Sequence, residues 1–121
     1  MTDQQLLELA AKAAGIEGGW GPVFNIGNDE VDVSDIWFLD SPETGSIWDP
    51  LTDDGDALRL LCKLQLSLNS NSATVGVGGY TPGWDHVFAQ EQIVDGDAQS
   101  AHRRAIVRAA AEIGNSMQGK H

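Results

Sequence analysis

A chain of 121 residues is the size of one domain and can bury about two-thirds of the surface its unfolded form exposes. Hydrophobic residues make up 41% of it, but no run approaches the roughly 20 apolar residues of a membrane span and the N-terminus lacks a secretory-signal pattern, so a cytoplasmic protein without membrane attachment is expected. Eighteen acids against seven bases leave a net charge of −11, which argues against direct binding to a nucleic acid, and the single cysteine excludes an internal disulfide or a multi-cysteine zinc site.

Residues 2–14 (TDQQLLELAAKAA) form the first predicted helix. Thr2 with Gln5 makes a capping-box pattern, Leu6, Leu9, Ala10 and Ala13 share one side, and Gly15 is placed to end the helix. EGGWGP (17–22) reads as a loop around Trp20. PVFNI (22–26) and EVDVSDIWFL (30–39) read as strands, and DSPETGS (40–46) as a turn-forming link.

The stretch from Trp48 to Leu66 carries the most apolar helical pattern in the chain. Pro50 cannot continue a helix from upstream, and Thr52, Asp53 and Asp54 offer oxygens to the first free backbone N–H groups. Ala57, Leu58, Leu61, Cys62 and Leu64 recur at spacings of three and four, with Leu60 and Leu66 widening the stripe. This helix is expected to be the central packed element. Beyond it, NSNS (69–72) is a polar turn and residues 73–77 a strand weakened or bulged by Gly76, Gly78 and Gly79. TPGWD (81–85) is a second turn, and residues 86–94 the return strand. Asp95 or Asp97 can cap a last helix over 98–114, ended by Gly114-Asn115, and the tail SMQGKH is expected to fray.

The predicted order is helix, two strands, helix, two strands, helix. Short links between consecutive strands imply hairpins, so the sheet is mostly antiparallel. Three helices with apolar faces need that sheet or one another to bury against. An α+β layered sandwich in a single domain, residues 1–121, follows.

WDPLTDDGDALRLLCKLQL, followed by two predicted strands and then AHRRAIVRAAAEIG, resembles the phage ABA-sandwich domain of small phage and prophage proteins. Trp48, Pro50 and Asp53 or Asp54 match the aromatic, proline and aspartate that precede the middle helix in that family. LLELAAKAAG (6–15) matches its leading helix. The resemblance implies a phage-derived accessory protein of unestablished activity, acting in the cytoplasm of a bacterial host. It transfers no functional residue and implies no cofactor.

NDEVDVSD (28–35) and DDGD (53–56) supply oxygens that suit calcium, but neither has the spacing of a calcium loop, and strand alternation and helix capping account for both. Cys62 lies in the apolar pattern with no activating neighbour, where a free cysteine acts as a small hydrophobe. His86, His102 and His121 are scattered and form no triad. GVGG lacks the Lys-Ser/Thr ending of a phosphate loop. Arg103, Arg104 and Arg108 either grip an anion or form ion pairs, with Asp97 and Glu112 near in sequence. No catalytic, metal or cofactor residue emerges, and no enzymatic activity is expected.

The charge is lopsided. Between Glu17 and Asp56 there are eleven acids and no Lys or Arg. The partner expected for that half is a protein with a basic surface. Trp20 and Trp84, in Gly/Pro loops, are candidate anchors for it, with Asp29, Glu30, Asp32 and Asp35 as candidate acidic contacts. The expected function is a non-enzymatic protein-interaction module. One alternative is an acidic DNA mimic that inhibits a host nucleic-acid-binding defence protein; another is a small metal-dependent hydrolase.

Overall fold

Local hydrogen bonds place three helices close to their predicted positions. The computed structural model describes residues 2–21, 23–27, 29–32, 37–39 and 47–118. Helix α1 spans Asp3–Ala14; Thr2 Oγ1 accepts from the Gln5 N–H at 3.1 Å and the Gln5 side chain accepts from the Thr2 N–H at 2.9 Å. Gly15 ends it at φ 68°, a left-handed conformation that a residue without Cβ adopts at no cost. Helix α2 spans Asp54–Lys63, its N-cap Asp53 accepting from the Asp56 N–H at 2.8 Å. Helix α3 spans Ala98–Gln118, with the Asp97 carboxylate accepting from the Ser100 N–H at 3.1 Å and the Ser100 hydroxyl at 2.7 Å.

Eight strands lie among the described residues: β1 Gly18–Trp20, β2 Val23–Ile26, β3 Asp29–Asp32, β4 Trp37–Leu39, β5 Ile47–Trp48, β6 Ser67–Ser70, β7 Thr74–Tyr80 and β8 His86–Gln92. All pairings are antiparallel, in the sheets β1-β4-β5, β2-β3 and β6-β7-β8. The class is therefore α+β, as predicted, and the order agrees roughly. The difference is in strand number: five strands, not two, separate α1 from α2, and three separate α2 from α3. The additional strands are short. GGW falls in the predicted loop 17–22, IW lies between the predicted link and the predicted helix, and SLNS overlaps the predicted polar turn. None carries an alternation of its own; each is extended because a partner strand fills its hydrogen bonds.

The central helix is α3, not α2. Ala105, Val107, Ala109, Ala110 and Ala111 of α3 are wholly buried, a run that covers most of the helix circumference and leaves only the stripe of Arg104, Arg108, Glu112 and Asn115 toward solvent. One side meets Val75 and Val77 of β7 and Val87 and Ala89 of β8, another meets α1, and a third meets α2. Of helix α2, Asp56, Ala57 and Leu60 are buried and Leu61 is partly buried against the core, while Leu58 is 59% exposed and Cys62 is exposed. The widened stripe expected to make α2 the central packed element is thus half solvent-facing.

Gly114, predicted to end the last helix, lies inside it. A Cβ built there would stand 1.9 Å from the carbonyl oxygen of Leu9 in α1. The glycine lets two helix backbones approach, and no side-chain rotation relieves a clash with main chain. Three arginines then tie α3 outward. Arg103 Nε donates to the Leu51 carbonyl (2.8 Å) and its Nη1 pairs with Asp54 (2.5 Å). Arg104 reaches Asp3 of α1 (3.1 Å) and Glu91 of β8 (3.5 Å), and Arg108 pairs with Glu91 and donates to the Gln90 carbonyl (3.0 Å). The ion-pair reading of these arginines holds, but the partners come from distant elements, not from Asp97 or Glu112. No helix among the described residues is long and apolar enough to cross a membrane.

Candidate binding face

Antiparallel register sets three of the four tryptophans against one another. Trp20 pairs with Trp37, and Trp37 with Trp48, at directly opposed positions of β1, β4 and β5. Directly opposed side chains share a face, so the indoles meet edge-on, with centroids 5.2 Å and 6.3 Å apart. Trp48 is only 4% exposed, and the half-buried Trp20 donates its indole N–H to Glu8 of α1. Trp20, a predicted anchor, is therefore held within the protein.

Trp84 is the exception. Thr81 Oγ1 accepts from the Asp85 N–H (3.1 Å), the Thr81 N–H donates to the Asp85 carbonyl (2.9 Å), and the Trp84 N–H donates to the Thr81 carbonyl (2.9 Å). Those bonds hold Trp84 at φ 66°, a left-handed conformation unfavourable for a bulky residue, and leave it 82% exposed. It borders an open cleft of about 340 Å³ with Lys63, Gln65 and Tyr80.

The turn sits at the end of a sheet face that the core does not use. Along β7 and β8 the burial alternates: Val75, Val77, Gly79, Val87 and Ala89 point inward, whereas Tyr80, His86 and Phe88 are exposed. Tyr80 is 58% and Phe88 53% exposed. Tyr80 contacts both Trp84 (6.3 Å, tilted) and His86 (5.3 Å, edge-on), so these three rings form a contiguous group, and Phe88 follows His86 on the same face of β8. The glycines explain how the row lies down. A Cβ on Gly76 would be 2.8 Å from Phe88 Cζ, and one on Gly78 would be 3.7 Å from Phe88 Cδ2 and 3.2 Å from His86 Nε2. The Phe88 ring thus lies across the backbone of both glycines, presenting its other side to solvent. The bulge expected of this glycine run is instead a regular seven-residue central strand.

This outer face carries no Asp, Glu, Lys or Arg. Ser67 and Asn69 of β6 pair with Gly78 and Gly76, and the remaining outward positions are Thr74, Gln90 and Gln92 beside the aromatics. The one charged residue of the three strands, Glu91, lies on the other side against Arg104 and Arg108. In a chain of net charge −11, that is a local exclusion of charge.

The predicted acidic contacts fare unequally. Glu30 is exposed on β3, which also carries Asp29 and Asp32, while Asp35 lies outside the described residues. The DDGD acids are occupied within the protein. Asp53 caps α2, Asp54 pairs with Arg103, and Asp56 accepts from the Asp49 N–H (2.9 Å) and from Arg59 (2.6 Å). That hydrogen bond to Asp56 holds the Arg59 guanidinium above its ordinary pKa. No group of three or more His, Cys, Asp or Glu side chains converges among the described residues. His102 Nδ1 contacts the Ala98 carbonyl at 2.6 Å within its own helix.

Sequence reasoning found Trp84 but missed Tyr80, His86 and Phe88. Their signal was the alternation in HVFAQEQ, which places His86 and Phe88 opposite to Val87 and Ala89. Reading the facing glycines as a bulge hid the regular register that makes the two strands one surface. No family model matches the chain, and neither does any curated protein or solved structure.

Proposed function

We propose that the chain is a non-enzymatic binding module of phage or prophage origin, which engages its target through the outer face of β6-β7-β8. The observation that carries this reading is the set Trp84, Tyr80, His86 and Phe88, exposed along and at the end of a sheet face whose outward strand positions carry no charged side chain. Aromatic rings supply a large contact area with few rotors to immobilise, which is why they anchor binding surfaces. The phage origin rests on the resemblance in residues 48–66 and 101–114. Relative to a basic protein docked on the acidic half, the contact moves to the neutral sheet.

The test is affinity capture from a bacterial host lysate, at low and high salt, with wild-type protein and a Trp84→Ser/Phe88→Ser double variant. Retained material is analysed for protein and, after acid hydrolysis, for monosaccharide. Retention that survives high salt and is lost in the double variant is the expected result. Retention abolished by salt and indifferent to the double variant would move the interface to the acidic strands and overturn this reading.

A further inference from the structure

We infer that the ligand of this face is a neutral glycan, a chain of uncharged hexose units lying along the aromatic row. The inference rests on the proposed binding role of the face and names the chemistry that would occupy it. Three observations converge. The first is platform geometry: Phe88 lies flat over Gly76 and Gly78 with its outer side free, and Trp84 stands at the end of the same row. The apolar C–H side of a pyranose stacks on such a ring. Covering glycine backbone accounts for Phe88 by itself, but not for Trp84, which is held by three hydrogen bonds of its turn in an unfavourable conformation.

The second is the polar complement. Ser67 and Asn69 on β6 and Thr74, Gln90 and Gln92 at the far end of β7 and β8 continue the face from the rings with hydroxyls and amides, and each donates and accepts, as sugar hydroxyls do. The third is charge. A net −11 repels phosphate backbones, anionic lipid headgroups and acidic sugars, while the outward strand positions offer no carboxylate to pair with a cationic peptide, Asp85 standing only in the turn at their end. An uncharged ligand meets neither penalty.

Size argues the same way. Three strands of up to seven residues present a footprint of roughly 14 by 23 Å, on the order of 300 Å². Even doubled for side-chain relief, it falls short of the roughly 800 Å² per partner that a stable protein interface uses. A few hexose units fill it.

The experiment is an amide NMR titration of the intact chain with maltohexaose, cellohexaose, chitohexaose and mannohexaose, each separately. The expected result is saturable shifts from at least one of them at the Gly76 and Gly78 amides and the Trp84 indole N–H, with the buried Trp48 indole unmoved. Trp84→Ala is expected to weaken that binding roughly tenfold, the effect of removing one stacked ring. Trp84 is 82% exposed, and an unchanged Trp48 indole resonance confirms that the variant folds. If none of the four sugars shifts these resonances, while a protein is captured from lysate through Trp84 and Phe88, the glycan is wrong and the face remains the binding site. If neither occurs, both readings fall. A concentration-dependent dimer in sedimentation, abolished by Trp84→Ser, would seat a second copy on the face and overturn the glycan.

Discussion

The two three-stranded sheets treat their aromatic residues in opposite ways. In β1-β4-β5, Trp20, Trp37 and Trp48 occupy opposed positions and pack on one another. In β6-β7-β8, the core is served by Val75, Val77, Val87 and Ala89, and the aromatics stand on the other side. Trp20 and Trp84 have nearly identical surroundings in sequence, each between glycine and proline or turn residues. Cross-strand register separates them: Trp20 finds a tryptophan directly opposite, whereas Trp84 lies in the turn beyond the last pair, Tyr80 with His86.

The largest effect expected from that contrast is at Trp48. Truncation to alanine removes a 4%-exposed indole and leaves Trp37 facing a void, a loss of about 3–5 kcal/mol in urea unfolding. A loss under about 1 kcal/mol, the range of partly exposed positions, would mean that the tryptophan ladder is not a core element.

Glycines sharpen the same contrast within one strand. Alanine at Gly79 puts a methyl 2.5 Å from Cδ2 of Leu66, which is itself buried and has nowhere to go, so overpacking is expected to cost about 1–3 kcal/mol. Alanine at Gly76 meets Phe88 Cζ at 2.8 Å, but that ring is half exposed and can swing into solvent. Gly76→Ala is therefore expected to cost less than about 1 kcal/mol in the same measurement, while detaching Phe88 from its flat position. Equal losses at the two sites would show that the faces are not distinct.

What the sequence disclosed follows the range of the interactions. Thr2 with Gln5, Gly15, Asp53 and Asp97 were legible because their hydrogen bonds close within a few residues. Strands β1, β5 and β6 were not, because GGW, IW and SLNS are extended only by virtue of partners elsewhere in the chain. Gly114 was misread for the same reason: its role is set by the Leu9 carbonyl of α1, not by its neighbours. Leu58 and Cys62 show the converse. Their spacing suits a buried stripe, but α2 has only one packed side. Of the site, Trp84 could be proposed from its turn, whereas Phe88 required the knowledge that Gly76 and Gly78 lie under it.

Acid probes how the second sheet is joined to α3. Asp97, between β8 and the helix, is held below the ordinary carboxylate pKa by the Ser100 hydroxyl and then by the Ser100 backbone N–H. A carboxyl whose pKa is lower folded than unfolded stabilises the fold fully above its unfolded value, near pH 4, and loses that contribution as pH falls through the folded value. Asp97→Ala is accordingly expected to lower the melting temperature at pH 7 and to make progressively less difference below about pH 4. A gap between variant and wild type that stays constant with pH would show that the carboxylate's charge is not what caps the helix.

The smallest expected effect is at Trp84, and it is the most informative. A tryptophan that closes a core loses several kcal/mol on truncation, but this one is 82% exposed and touches only Tyr80 among the aromatics. Its backbone bond to Thr81 does not involve the side chain, so Trp84→Ser leaves it in place. The change in unfolding free energy is expected to lie within about 0.5 kcal/mol, the range of surface substitutions. Binding, by contrast, depends on the ring itself. A large loss of stability at Trp84 would place it in the core beside the other three tryptophans and erase the difference between the sheets. Near-neutral stability with lost binding separates a ring kept for contact from rings kept for folding.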